Sequence, residues 1–93
     1  MAIRPFKRAD TEALFHLRRV VRFGNLERPA LRKLKQLDVG QRIEDLRAPP
    51  VNRLERLKGE RAGQWSLRVN DQFRICFRWT GSDAEDVEIV DYH

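Results

Sequence analysis

Two runs with a period of two constrain this chain more than any other feature. Over residues 64–69, Trp65, Leu67 and Val69 fall on one face of an alternating strand; over residues 73–80, Phe73, Ile75, Phe77 and Trp79 do the same. Both apolar sets must face one core, because a slip of one residue would expose one of them to water. That parity calls for a loop of odd length, and Asn70-Asp71-Gln72 supplies it. The expected register sets Val69 opposite Phe73, Leu67 opposite Ile75 and Trp65 opposite Phe77. The other face then pairs Arg68 with Arg74, a like-charge pair that is unfavourable by roughly a few tenths to 1 kcal/mol. Arg78 lies further along that face. The four aromatic side chains fall on the apolar parity and read as core, not as platforms for stacking bases.

Around this hairpin the chain divides into a helical half and a strand half. Residues 3–6 suggest a short leading strand, placed at an edge by Pro5. Asp10-Thr11-Glu12 offers capping and acidic first-turn residues for a helix in which Ala13, Leu14, Leu17, Val20 and Val21 recur at helical spacing, until Gly24-Asn25 breaks it. A second helix from about Glu27 carries Ala30, Leu31, Leu34 and Leu37 on one stripe, with Arg28, Arg32, Lys33 and Lys35 expected largely outside. Asp38 with Gln41 resembles a capping box for a short third helix through Ile43 and Leu46, ended by Pro49-Pro50. From Asn52 onward the period is two: a short strand over residues 53–57, a loop over 58–63, the two runs above, and a last strand over 86–90 that places Val87 and Ile89 together. The expectation is one α+β domain over residues 1–93, with two to three helices on one face of a mainly antiparallel sheet of four to five strands.

The formal charge is +5, from 19 basic against 14 acidic residues, and the pI is about 10.1. Arginine strongly outnumbers lysine, and guanidinium is the better group for bidentate contact with phosphate. Such a balance points toward nucleic acid as a partner. The first residues contain no long apolar run, so neither a signal peptide nor a membrane span is expected. The single cysteine, Cys76, has no partner for an internal disulfide, and the chain reads as cytosolic. Cys76 reads as a small sheet residue, since no local histidine would activate it. His16, among Arg18, Arg19 and Arg22, reads as a helix-surface residue. No His/Cys cluster has the spacing of a metal site, and no cofactor is expected.

The final strand runs straight into Asp91-Tyr92-His93. A carboxylate, a phenol and an imidazole can move protons and hold a phosphate, and the preceding strand would give them direction. By parity Tyr92 shares the face of Arg74 and Arg78, while Asp91 points the other way or turns outward at the frayed end. An open sheet face with Arg68, Arg74, Arg78 and Tyr92 reads either as a phosphate cradle or as a solvated basic face partly neutralised by Glu55 and Glu88. The residue types suit RNA cleavage by its own 2′-hydroxyl. That reaction deprotonates the hydroxyl, adds negative charge to the phosphorus and protonates the leaving 5′-oxygen. Arg74 and Lys58 are candidates to stabilise the charge, and His93, Asp91 or Glu55 to transfer protons, with Tyr92 stacking on a base or bonding a phosphate.

Four segments taken in order resemble a known family. Leu57-Lys58-Gly59-Glu60-Arg61, Gly63-Gln64-Trp65-Ser66-Leu67, Gln72-Phe73-Arg74-Ile75-Cys76-Phe77 and Val90-Asp91-Tyr92-His93 are similar to the HigB toxins, the host-inhibition or plasmid-maintenance killer branch of the RelE/ParE superfamily. The resemblance covers essentially the whole chain. It implies a RelE-like fold and a metal-independent, ribosome-dependent mRNA endonuclease of a type II toxin–antitoxin system. It also implies a HigA-like helix-turn-helix antitoxin as partner, with operator DNA reached only through that antitoxin. Carried over residue by residue, Lys58 matches the lysine of the family's active-site loop, Arg74 its strand arginine, and Asp91, Tyr92 and His93 its terminal trio. Arg68, Arg78 and Glu55 are placed at the RNA. Some HigB toxins have a histidine where this chain has Glu55, which leaves Glu55 as a general base or an ion-pair partner. The competing reading is a non-catalytic inhibitor on the same scaffold, of DNA gyrase as in ParE-like proteins or through RNA binding alone. The terminal trio and Lys58 favour the nuclease.

Overall fold

A computed structural model describes residues 1–91. The order of elements is α1 (Ala9–Phe15), α2 (Glu27–Val39), β1 (Glu55–Arg56), β2 (Gln64–Arg68), β3 (Phe73–Trp79) and β4 (Ala84–Asp91), with short 3-10 turns between them. The strands form one antiparallel sheet in the order β1-β2-β3-β4. The helices cover one face, where Leu14, Leu34 and Leu37 meet Leu67, Ile75, Phe77, Val87 and Ile89 in a single core.

The hairpin register is the expected one. Trp65 lies opposite Phe77, Leu67 opposite Ile75 and Arg68 opposite Arg74. The backbone N–H of Val69 donates to the Phe73 carbonyl at 3.0 Å. Asn70 shapes the loop by accepting from the backbone N–H groups of both Gln72 and Phe73, at 2.9 and 2.7 Å. In β4, Ala84 and Val87 are both fully buried although they stand three apart. A register shift against β3 between Cys76 and Arg78 makes this possible, with Asp86 at φ +52°.

Several expectations change. The leading strand is reduced to two parallel bridges, Ile3 to Ala84 and Phe6 to Val87, which lay residues 3–7 along the outer edge of β4. The first helix ends at Phe15, so the stripe does not continue to Val21. Arg18 N–H donates to the Ala13 carbonyl and Leu17 N–H to that of Leu14, each at 2.9 Å, with Leu17 at φ +65°: a left-handed C-terminal cap. Leu17 and Val21 are left 72% and 93% exposed. The chain is drawn away from the helix by Arg22, which bonds Asp10 at 2.7 Å and the Ile89 carbonyl at 3.2 Å and lies against the rings of Phe23 and Phe73. Burial pushes the Asp10 carboxyl up, but Arg22 and Arg8 outweigh it and hold the group below its ordinary range. The third helix is a 3-10 turn, Ile43–Arg47. Its cap is Asp45 reaching back to the N–H groups of Gln41 and Arg42, at 2.9 and 3.0 Å. Asp38 is not available for that task, because α2 runs past it to Val39.

Lys33 was expected outside and is buried. Its ammonium donates to the Oδ1 of Asn52, a fully buried side chain whose Nδ2 donates to the carbonyls of Leu46 and Ala48, both at 3.1 Å. Burial, with Arg32 and Arg68 nearby, holds the Lys33 ammonium below the usual lysine value. Asn52 thereby fastens the irregular segment over residues 43–52 to α2. Asn52→Ala removes partners from a buried ammonium and from the buried Leu46 carbonyl, and equilibrium denaturation should show a loss of about 2–4 kcal/mol. A change below about 0.5 kcal/mol would mean that this segment is held by something else.

Candidate active site

The face of the sheet turned away from the helices carries the even-numbered residues of β2 and β3. Its cross-strand row runs Glu55, Ser66, Cys76 and Glu88. The expectation of an open face fails here: Ser66 and Cys76 are fully buried, and Gln64 and Glu88 nearly so. The cover is the segment over residues 57–63. Leu57 packs with Cys76 and Val90 in a small second cluster, and Arg61 donates to the Gln64 Oε1 at 3.1 Å and the Glu88 Oε2 at 3.3 Å. Gly59 at φ +65° and Gly63 at φ +91° bound the turn, Gly59–Arg61. A Cβ at Gly63 would stand 2.9 Å from an Arg78 guanidinium nitrogen, so the loop lies tightly on the sheet.

Arg74 lies two residues along β3 from Cys76 on this face. Its side chain is only 11% exposed, with Nε donating to the Ser66 Oγ at 2.8 Å, a terminal nitrogen donating to the Arg53 carbonyl at 2.7 Å, and Glu55 Oε2 at 3.8 Å. Arg53 presents that carbonyl because it adopts φ +43° after the turn Pro50–Asn52, which also shortens the expected strand over residues 53–57 to Glu55–Arg56. Arg68 faces Arg74 in register, but its guanidinium turns away to pair with Asp71. The two like charges are therefore each matched with a different partner, which removes most of the expected repulsion.

The remaining expected residues separate. Lys58 is exposed and opens the turn Gly59–Arg61, immediately after Leu57 enters the cluster beside Val90. Glu55 is exposed at the edge, within ion-pair distance of Arg74. Arg78 is paired with Asp86 at 3.7 Å, on the far side of the 57–63 segment from Arg74. Asp91 closes β4 opposite Phe73, on the other parity from Arg74, and accepts from the Gln72 Nε2 at 2.9 Å. Tyr92 and His93 lie outside the described residues. The backbone register places Val90 opposite Arg74.

Cys76 lies at the bottom of this face. Burial pushes its thiol up, with Arg61, Arg74 and Lys7 opposing the rise and Glu88 adding to it, so it is a packed side chain and a poor nucleophile. His16 is exposed at the end of α1, edge-on to the Phe15 ring at 5.5 Å. Two cavities of about 280 and 520 Å³ lie between the segment after α1 and the start of α2, sharing Arg19, Glu27 and Arg28, and neither is lined by any expected site residue. Among the described residues, Arg74, Arg68 and Lys58 make this a basic face, whose chemistry suits a polyanionic strand. Ser66, Arg61, Gln64 and the Arg53 carbonyl were not legible in advance, because alternation gives their parity and says nothing of what covers them.

Comparison with known proteins places the chain in a family. Residues 16–93 match the family described as the RelE-like toxin of type II toxin-antitoxin system HigB. Toxin HigB-1 of Vibrio cholerae serotype O1 is 47% identical over 61 residues, covering 66% of this chain and 64% of that protein. Endoribonuclease HigB of Proteus vulgaris is 34% identical over 61 residues, covering 66% of this chain and 65% of that protein. The chain therefore spans a little under two thirds of the length of each relative. A YoeB/ParE toxin from Agrobacterium tumefaciens superposes with a TM-score of 0.55 at 20% identity, over 99% of this chain and 96% of that one, which shows a shared α+β fold. With the family match running across α2, the whole sheet and the Arg74 face, this chain belongs to the HigB-like toxin family.

Proposed function

We propose that this chain is a toxin that cleaves mRNA on translating ribosomes, by attack of the RNA's own 2′-hydroxyl. The observation that carries the reading is Arg74, a guanidinium held by Ser66 and the Arg53 carbonyl on the sheet face opposite the helices, with Glu55 at 3.8 Å. A donor fixed in this way can meet the charge that develops on a phosphate with little reorganisation. Lys58, on the adjacent loop, adds a second cation. Tyr92 is the group for stacking on a base or bonding a phosphate. His93 and Asp91 or Glu55 are the groups for proton transfer, and Arg68, paired with Asp71, and Arg78, paired with Asp86, are further cations for the RNA backbone on either side of Arg74 and the 57–63 segment. The ribosome supplies alignment of the mRNA that this face does not supply alone.

A family of type II toxins implies an antitoxin partner. For this chain we take it to be a HigA-like protein with a helix-turn-helix domain, through which operator DNA is reached. No described helix is long and apolar enough to cross a membrane. The cytoplasm, where ribosomes and mRNA are found, is the compartment that suits this activity. The competing reading, inhibition of gyrase without catalysis, has in its favour only the shared fold with a YoeB/ParE toxin.

Arg74→Ala should abolish most cleavage. Because Arg74 is bonded to buried Ser66, the variant should also lose about 1–2 kcal/mol of stability while remaining folded. A variant that melts normally and cleaves normally would remove Arg74 from the site.

Deletion of Tyr92 and His93 separates the two readings. A nuclease should lose cleavage by on the order of a hundredfold or more, since a phosphate contact and a proton-transfer group leave together. A gyrase inhibitor should keep its toxicity. The measurement is primer extension on a reporter mRNA in a translating extract, beside growth arrest in cells with and without the antitoxin. No cleavage by the parent chain would sink the nuclease reading; equal cleavage by parent and truncation would remove the terminal residues from the chemistry.

A further inference from the structure

Glu88 is a carboxylate with its side chain 7% exposed, in the middle of a sheet face, and no step of the proposed reaction uses it. Two cations reach it: Arg61 at 3.3 Å from the loop above and Lys7 at 3.4 Å from the segment along the edge of β4. Its own strand position is fixed by pairing opposite Cys76, and by the adjacent Ile89 N–H, which donates to the fully buried Thr11 hydroxyl at 3.0 Å. Glu88 is thus anchored, and Arg61 ties the loop to it. Between Leu57 and Gln64 that loop is exposed at Lys58, Gly59, Glu60, Ala62 and Gly63. Among the described residues its side-chain hydrogen bonds to the sheet are those of Arg61, to Glu88 and to Gln64.

The geometry points to Glu88 as a positioning residue: by holding Arg61, we propose, it clips the 58–63 loop onto the sheet and so sets where Lys58 stands relative to Arg74. Leu57 and Arg61 bracket Lys58 and are both seated around Cys76, Leu57 in contact with it and Arg61 through Glu88 directly across from it. Cys76 is two residues along β3 from Arg74 on the same face. Lys58 is therefore placed relative to Arg74 by one small patch of packing and one ion pair. A lysine on a loop with two positive-φ glycines has many other positions open to it once that pair is broken. Displacing a charge-stabilising group by about 1 Å is enough to cost on the order of a hundredfold in rate. The proposal rests on the nuclease reading for its effect on rate, and on the structure alone for the clip.

The test uses Glu88→Gln, which keeps the size and removes the charge, and Arg61→Ala, which breaks the same pair from its partly exposed end. The first measurement is limited trypsinolysis of the folded chain, followed at the Lys58–Gly59 bond. Both variants should be cut there several times faster than the parent, with cutting outside the 58–63 loop unchanged. The second is mRNA cleavage on ribosomes. Each variant should lose on the order of tenfold to a hundredfold in kcat with KM little changed. In a Lys58→Ala background Glu88→Gln should cost nothing more, since the group it positions is gone. Arg61→Lys, which can still pair with Glu88, should recover part of the loss. Unchanged trypsin cutting overturns the clip whatever the chain does to mRNA. Additive losses in the Lys58→Ala background overturn the link to Lys58 and leave Glu88 merely structural. Faster cutting with no cleavage by the parent overturns the nuclease reading and upholds the clip.

Discussion

The pairing of β2 with β3 is the constraint on which the rest of this molecule depends. Setting Leu67 against Ile75 and Trp65 against Phe77 directs one complete set of apolar side chains to α1 and α2, and thereby directs Ser66, Arg68, Arg74 and Cys76 the other way. Core and site are two consequences of one register. A shift of one residue would bury guanidinium groups under the helices and turn the aromatic residues to water, a cost no surface interaction could offset. Asn70 secures that register locally by closing the loop with its own side chain.

The second sheet face shows how a basic protein packs charge without a second apolar core. Arginines that oppose one another in the sheet are drawn apart, Arg68 to Asp71 and Arg74 to Ser66, the Arg53 carbonyl and Glu55. Glu88, nearly buried, is met by Arg61 and Lys7 together. A buried charge is tolerable only when it is paired and hydrogen-bonded, and these partners come from segments distant in the chain. The same contacts that satisfy the charges therefore draw the 53–63 region over the sheet. What remains beside Arg74 is a positively charged surface.

Much of the fold was legible from the order of residues. The strand half followed from period-two alternation, and α2 from an apolar stripe that begins at the expected Glu27. Failures fell where a long-range contact overrides a local pattern. Leu17, Val20 and Val21 continue the helical stripe of α1, yet Arg22 bonded to Asp10 and to the Ile89 carbonyl takes the chain elsewhere. Lys33 sits among surface charges by spacing, yet Asn52 draws its ammonium inward. Asp38 has the look of a cap, and the cap is Asp45. Of the site, Arg74 and its face were readable, because parity is a local property and a charged residue inside an alternating strand marks its polar side. Arg61, Gln64 and Ser66 were not, since nothing local distinguishes a polar residue under a loop from one under water.

The sequence by itself determined the class of fold, the register of the central hairpin and the side of the sheet on which its arginines stand. Each of these follows from periodicity and loop parity, which neighbouring residues define among themselves. Only the tertiary structure decided that this face is half covered, that Arg74 is held by Ser66 and the Arg53 carbonyl, and that Glu88 is anchored beneath Arg61. Those facts join residues 53 with 74 and 61 with 88, and contacts between segments so far apart are settled by how the whole chain packs, not by any pattern written along it.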